Sequence, residues 1–95
     1  VGAAGRISVD AGARAAKLTG GSSLLPAGVV SADGGFDEGD AVEVADADGA
    51  VFAKGISRIS ASDLLLVAGL RSSQVPADVS PVAIHRDDLV VLPEG

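Results

Sequence analysis

His85-Arg86-Asp87, Asp46-Ala47-Asp48-Gly49 and Gly20-Gly21-Ser22-Ser23 are the stretches whose residue types and spacing could do chemistry. The first matches a phosphoryl-transfer loop in which the aspartate orients a hydroxyl and an asparagine five positions on holds magnesium. Here that position is Leu92, and both a glycine-rich phosphate loop and Asp-Phe-Gly are missing, so the better reading is a strand end at which Arg86 pairs with a nearby carboxylate. The second stretch opens like a calcium loop, but Ala50 stands where the third ligand belongs, which leaves a solvated hairpin turn. The third lacks the lysine that reaches a phosphate in a P-loop and reads as a flexible helix exit. His85 is the single histidine, and a lone imidazole reads as a packed or hydrogen-bonded strand residue. With no cysteine there is no disulfide, Cys-based zinc site or thiol nucleophile. No catalytic, metal-binding or cofactor-binding residue is expected in this chain.

The elements that carry these stretches follow from local pattern. Residues 6–10 alternate Ile7 and Val9 with polar neighbours, as a half-buried strand does. Asp10 is a good N-cap for a helix whose Ala11, Ala15 and Leu18 make a thin apolar face. On its other face Arg14 and Lys17 are i, i+3 neighbours, and Gly20 stops it. Pro26 drives Leu25 into an extended conformation, so Leu25-Pro26-Ala27-Gly28 reads as a type I turn with Leu24 and Leu25 buried ahead of it. Val29 and Val30 begin the next strand, and Phe36, one of two aromatics, anchors the loops around it. Residues 41–45 and 50–59 flank the Asp46–Gly49 turn as a hairpin whose alternation slips near Gly55, the mark of a β-bulge. Ser60-Ala61-Ser62-Asp63 resembles a capping box for a helix to Ala68, with Gly69 as its stop. Residues 82–86 and 89–92 read as two closing strands around Asp87-Asp88. This order predicts a mainly β fold with short helices, a small mixed barrel rather than a repeated strand-helix pattern.

At 95 residues the chain suits one domain with a small core. Leu, Ile, Val and Phe supply 28 residues and Ala another 17, with valine at 13 copies favouring strands. Seven Lys and Arg against 13 Asp and Glu give a net charge of −6, which repels phosphate backbones at long range. The apolar runs are far short of a membrane span, and a signal-peptide pattern is missing. The lack of cysteine fits a cytoplasmic protein. Opening at Val1 rather than Met, the chain reads as a piece of something longer.

Taken in order, "GRISVDAGARAA", "GSSLLPAGVV", "GGFDEGDAVEV", "GAVFAKGISRISASDL", "VAGLRSS" and "PVAIHRDDLVVL" resemble the C-terminal PUA domain of bacterial glutamate 5-kinases, from Gly5 to Leu92. Ser23-Leu24-Leu25-Pro26 with Gly28, then Phe36, Gly39 and Asp40, is specific for the PUA fold. Val9–Ala13 and His85-Arg86-Asp87-Asp88 point to the kinase branch, and Ile59 departs from an expected aromatic. The resemblance implies a pseudobarrel over residues 6–92, with 1–5 a linker remnant and 93–95 a tail. It implies a parent enzyme that phosphorylates glutamate with ATP and magnesium in proline biosynthesis, on a kinase domain that would precede Val1. For this domain it implies a non-catalytic accessory role in assembly or regulation, with its own N-terminal kinase domain and further copies as partners. As the alternative it implies RNA binding by Arg14 and Lys17, by the amides of Gly20, Gly21 and Ser22, and by Arg86 if the last strand lies alongside.

Overall fold

The computed structural model describes residues 3–12 and 23–92. Five strands, β1 (Gly5–Val9), β2 (Val29–Asp33), β3 (Ala41–Ala45), β4 (Val51–Ser57) and β5 (Ile84–Val91), form one sheet in the order β2-β1-β3-β4-β5. β1 runs parallel to β3, and every other neighbouring pair is antiparallel. β1 turns Ile7 and Val9 inward as its alternation predicts, while Arg6 stays exposed. The helix expected after it starts at Ala11 and Gly12, and the rest of it lies outside the described residues.

β2 and β5 are the two sheet edges, and a bridge between Leu24, just ahead of β2, and Ile84 at the start of β5 draws them together. The Leu24 N–H donates to the Ile84 carbonyl at 2.8 Å, and the Leu24 carbonyl accepts from Ala83 at 2.8 Å and Ile84 at 3.3 Å. Closing the sheet on itself in this way makes the mainly β pseudobarrel that the element order predicts. Leu24 is buried, but Leu25 is 40% exposed, which corrects the expectation that both leucines are covered. The cause is the extended backbone that Pro26 imposes on Leu25: neighbouring side chains in an extended segment point to opposite sides. The turn itself is a 3-10 turn over Pro26–Gly28, closed by Gly28 N–H to the Leu25 carbonyl at 3.1 Å.

Three irregularities bend the sheet. In β2, Val30 is the extra residue between the pairs Ser8–Ser31 and Val9–Val29, and the bulge turns it outward to 62% exposure. In β4, Phe52 is the extra residue between Val44–Ala53 and Ala45–Val51, so both Phe52 and Ala53 face the core. The phase of the alternation thus breaks at Phe52, three residues before the glycine where the sequence suggests it. At Gly55 the irregularity belongs to the partner strand: Gly55 pairs with Leu89 and Ser57 with Ile84, so residues 85–88 arch out opposite the single residue Ile56. What the sequence presents as two closing strands is therefore one strand with an arch.

Helix α1 (Ala61–Val67) starts at Ser60, whose hydroxyl accepts from the Asp63 N–H at 3.3 Å. Seven residues are too few for an isolated helix, which needs about 12–15. Packing holds it instead: Ala61, Leu64 and Val67 are buried, and the Gly69 N–H donates to the Pro26 carbonyl at 2.7 Å, fastening the exit of the helix to the 3-10 turn. The core runs from Leu24 and Ile84 through Ile7, Val42 and Val44 to Phe36 and Leu64. Each of these large side chains contributes about 1.5–3 kcal/mol by leaving water. No helix among the described residues is long and apolar enough to cross a membrane.

Candidate functional site

The Leu24–Ile84 bridge also positions Arg86, the one residue of the expected RNA-facing surface that is described. It lays the start of β5 beside the chain that leaves the Gly20–Ser22 segment, and the Arg86 N–H donates to Ser23 Oγ at 2.9 Å. The Arg86 side chain is exposed there. The start of β5 thus runs beside residues 23–24. Arg14, Lys17, Gly20, Gly21 and Ser22 lie outside the described residues.

The arch that contains His85-Arg86-Asp87 is held by its own local contacts. His85 Nδ1 accepts the Asp87 N–H at 3.2 Å and lies 3.5 Å from the Asp87 carboxylate, the hydrogen-bonded strand histidine that the sequence suggests. One expectation changes. Among the described residues it is Arg58 that pairs with a carboxylate of the arch, Asp88 at 3.1 Å, and Arg86 has no ion-pair partner. β4 and β5 are neighbours, and Arg58 follows the Ser57–Ile84 pair directly, with its N–H on the Ala83 carbonyl at 2.8 Å. Sequence spacing alone cannot reveal that neighbourhood.

At the hairpin, Asp46 Oδ1 accepts from the amides of Asp48 and Ala50, both at 3.0 Å. Its carboxylate oxygen is engaged by the backbone, in keeping with a turn rather than a calcium loop. Among the described residues no three His, Cys, Asp or Glu side chains cluster as metal ligands. Nor is there a Gly-x-x-x-x-Gly-Lys loop.

Concavities among the described residues escape a reading of the sequence, because each is assembled from distant segments. A polar cleft of about 270 Å³ is lined by Glu38, Arg58, Ser80, Val82 and His85. A larger open groove of about 520 Å³ crosses the outer face of β3, β4 and β5 and includes Ile56, Val90 and Lys54.

This bridged five-stranded fold recurs in known proteins. A PUA domain of Aeropyrum pernix K1, solved as a tartrate complex, superposes with a TM-score of 0.69 at 22% identity, covering 86% of this chain and 41% of that one. The archaeal box H/ACA sRNP Nop10-Cbf5 complex contains a chain with a TM-score of 0.62 at 24% identity, covering 87% of this chain and 25% of that one. At this identity both likenesses concern the fold alone. In sequence, the glutamate 5-kinase of Myxococcus xanthus (strain DK1622) is 47% identical over 94 residues, 95% of this chain and 25% of that protein. The chain thus spans about a quarter of the length of the curated relatives it matches, the part that is their C-terminal PUA domain. The PUA domain pattern itself matches residues 5–78, from the first residue of β1 past α1. The strand order, the closing bridge and this match lead to one assignment: the chain belongs to the PUA domain family.

Proposed function

We propose that this chain is a non-catalytic accessory domain of a glutamate 5-kinase-like enzyme, which phosphorylates glutamate with ATP in proline biosynthesis, and that it assists assembly or regulation. The observation that carries this reading is the 47% identity along 95% of the chain to one quarter of a glutamate 5-kinase. In this reading ATP and magnesium belong to a preceding kinase domain, the enzyme works in the cytoplasm, and copies of it associate. The test is removal of the domain from the full-length enzyme. We expect a shift in glutamate affinity or in inhibition by proline, within the roughly 5- to 150-fold range of coupling between sites, or a change in oligomer mass. If all three stay unchanged, the accessory role is wrong.

A second reading, an RNA-binding module, is favoured by the exposed Arg86 held beside Ser23 at the exit of the glycine segment. Each cation neutralises about one phosphate, and the net charge of −6 works against the attraction. Titration of labelled tRNA at low salt decides this reading. The combined variant Arg14→Ala, Lys17→Ala and Arg86→Ala should then bind about tenfold more weakly with a shallower salt dependence. Wild-type binding no tighter than that of a charge-matched control protein rejects it.

A further inference from the structure

We infer that the groove across the outer face of β3, β4 and β5 docks the domain that precedes this one in the longer enzyme, which rests on the chain being part of such an enzyme. The floor is apolar: Ala41, Ile56 and Val90 come from three adjacent strands, and Ala3 closes one side. Val90 is 53% exposed and Ile56 38%, and the two stand near each other on one sheet face.

Three charged side chains, Glu43, Lys54 and Asp88, line the rim. Glu43 is paired with Arg6 at 3.3 Å and Asp88 with Arg58 at 3.1 Å; Lys54 stands opposite Glu43 on the neighbouring strand and has no ion pair of its own among the described residues. An apolar floor with an exposed lysine at its rim complements an apolar side chain followed by a carboxylate.

Position selects the occupant. The Ala4 N–H donates to the Ala41 carbonyl at 2.8 Å, so the chain enters the domain along the groove's own wall. Each residue spans at most about 3.6 Å, so a domain joined just ahead of residue 3 is kept within reach of the groove. Tethering of this kind supplies an effective concentration of about millimolar, at which a modest contact stays closed. About three quarters of the length of the matched relatives lies outside the aligned part. A second copy of the domain has no such tether.

The experiment uses the full-length enzyme. Ile56→Asp with Val90→Asp, and separately Lys54→Glu, should each speed proteolytic cleavage within residues 1–5 by about tenfold. They should also speed amide exchange in β4 and β5, with oligomer mass unchanged. Lys54 is exposed, so its variant keeps the test valid if the double variant does not fold. Cleavage of folded variants at the wild-type rate overturns the inference. So does protection of the groove that vanishes when the oligomer is diluted apart, since a second copy would then be the cover. An unaltered full-length chain that does not phosphorylate glutamate defeats the underlying reading instead, an outcome distinct from failure of the groove.

Discussion

Replacing Gly55 with alanine is expected to lower the unfolding free energy by about 2–3 kcal/mol, seen as an earlier midpoint in urea with an unchanged slope. A Cβ at this position would stand 2.6 Å from the Asp88 carbonyl oxygen and 2.8 Å from Ile84 Cγ2. Neither atom can swing aside, because the first is backbone and the second belongs to a side chain with no exposed surface. The strand must therefore move as a unit. Ile84 carries the bridge to Leu24, and Arg86 two residues on is bonded to Ser23, so the displacement reaches both contacts. Faster exchange of the Leu24 and Arg86 amides should accompany the loss of stability. A change under about 0.5 kcal/mol would show that β5 does not rest on this glycine.

Phe36→Ala should cost more, about 3–5 kcal/mol. For a domain whose whole stability is about 5–15 kcal/mol, that is a large share. Phe36 is 1% exposed, and both its ring and its backbone have close neighbours. On one side its ring lies against Gly5, where an added Cβ would meet Cδ2 at 2.5 Å. On the other its carbonyl accepts the Ala61 N–H at 2.9 Å at the start of α1. Removing the ring leaves a cavity beside the first strand that the surrounding backbone is too well bonded to fill. Phe36→Leu keeps much of the volume and should lose visibly less. Equal losses in the two variants would mean that the site collapses freely, contrary to this packing.

The features that were legible in the sequence are those set within a few residues. Ile7 and Val9 mark β1, Ser60 with Asp63 marks the start of α1, and Pro26 marks the turn. Each depends on a local rule of side-chain alternation, capping or fixed φ. Leu25, Phe52 and the 85–88 arch were not legible because neighbouring segments decide which way they face. Phe52 turns inward only because β3 offers one residue fewer, and the arch forms only because Ile84 and Leu89 hold their places on β4. The same division runs through the candidate site. The cationic residues and the glycine run could be named from the sequence, whereas the Arg58–Asp88 pair and the Lys54, Ile56 and Val90 groove exist only once the strands are side by side.

The Leu24–Ile84 bridge has a counterpart at the other end of the same segment, where the Asp10 N–H donates to the Gly28 carbonyl at 3.1 Å. Both end-points of the stretch between Asp10 and Leu24 are thus tied by backbone hydrogen bonds, one to the 3-10 turn and one to β5. A substitution that shifts Gly28 or Ile84 therefore carries one end of that stretch with it, so a change made in the barrel is felt at a segment far from it in sequence.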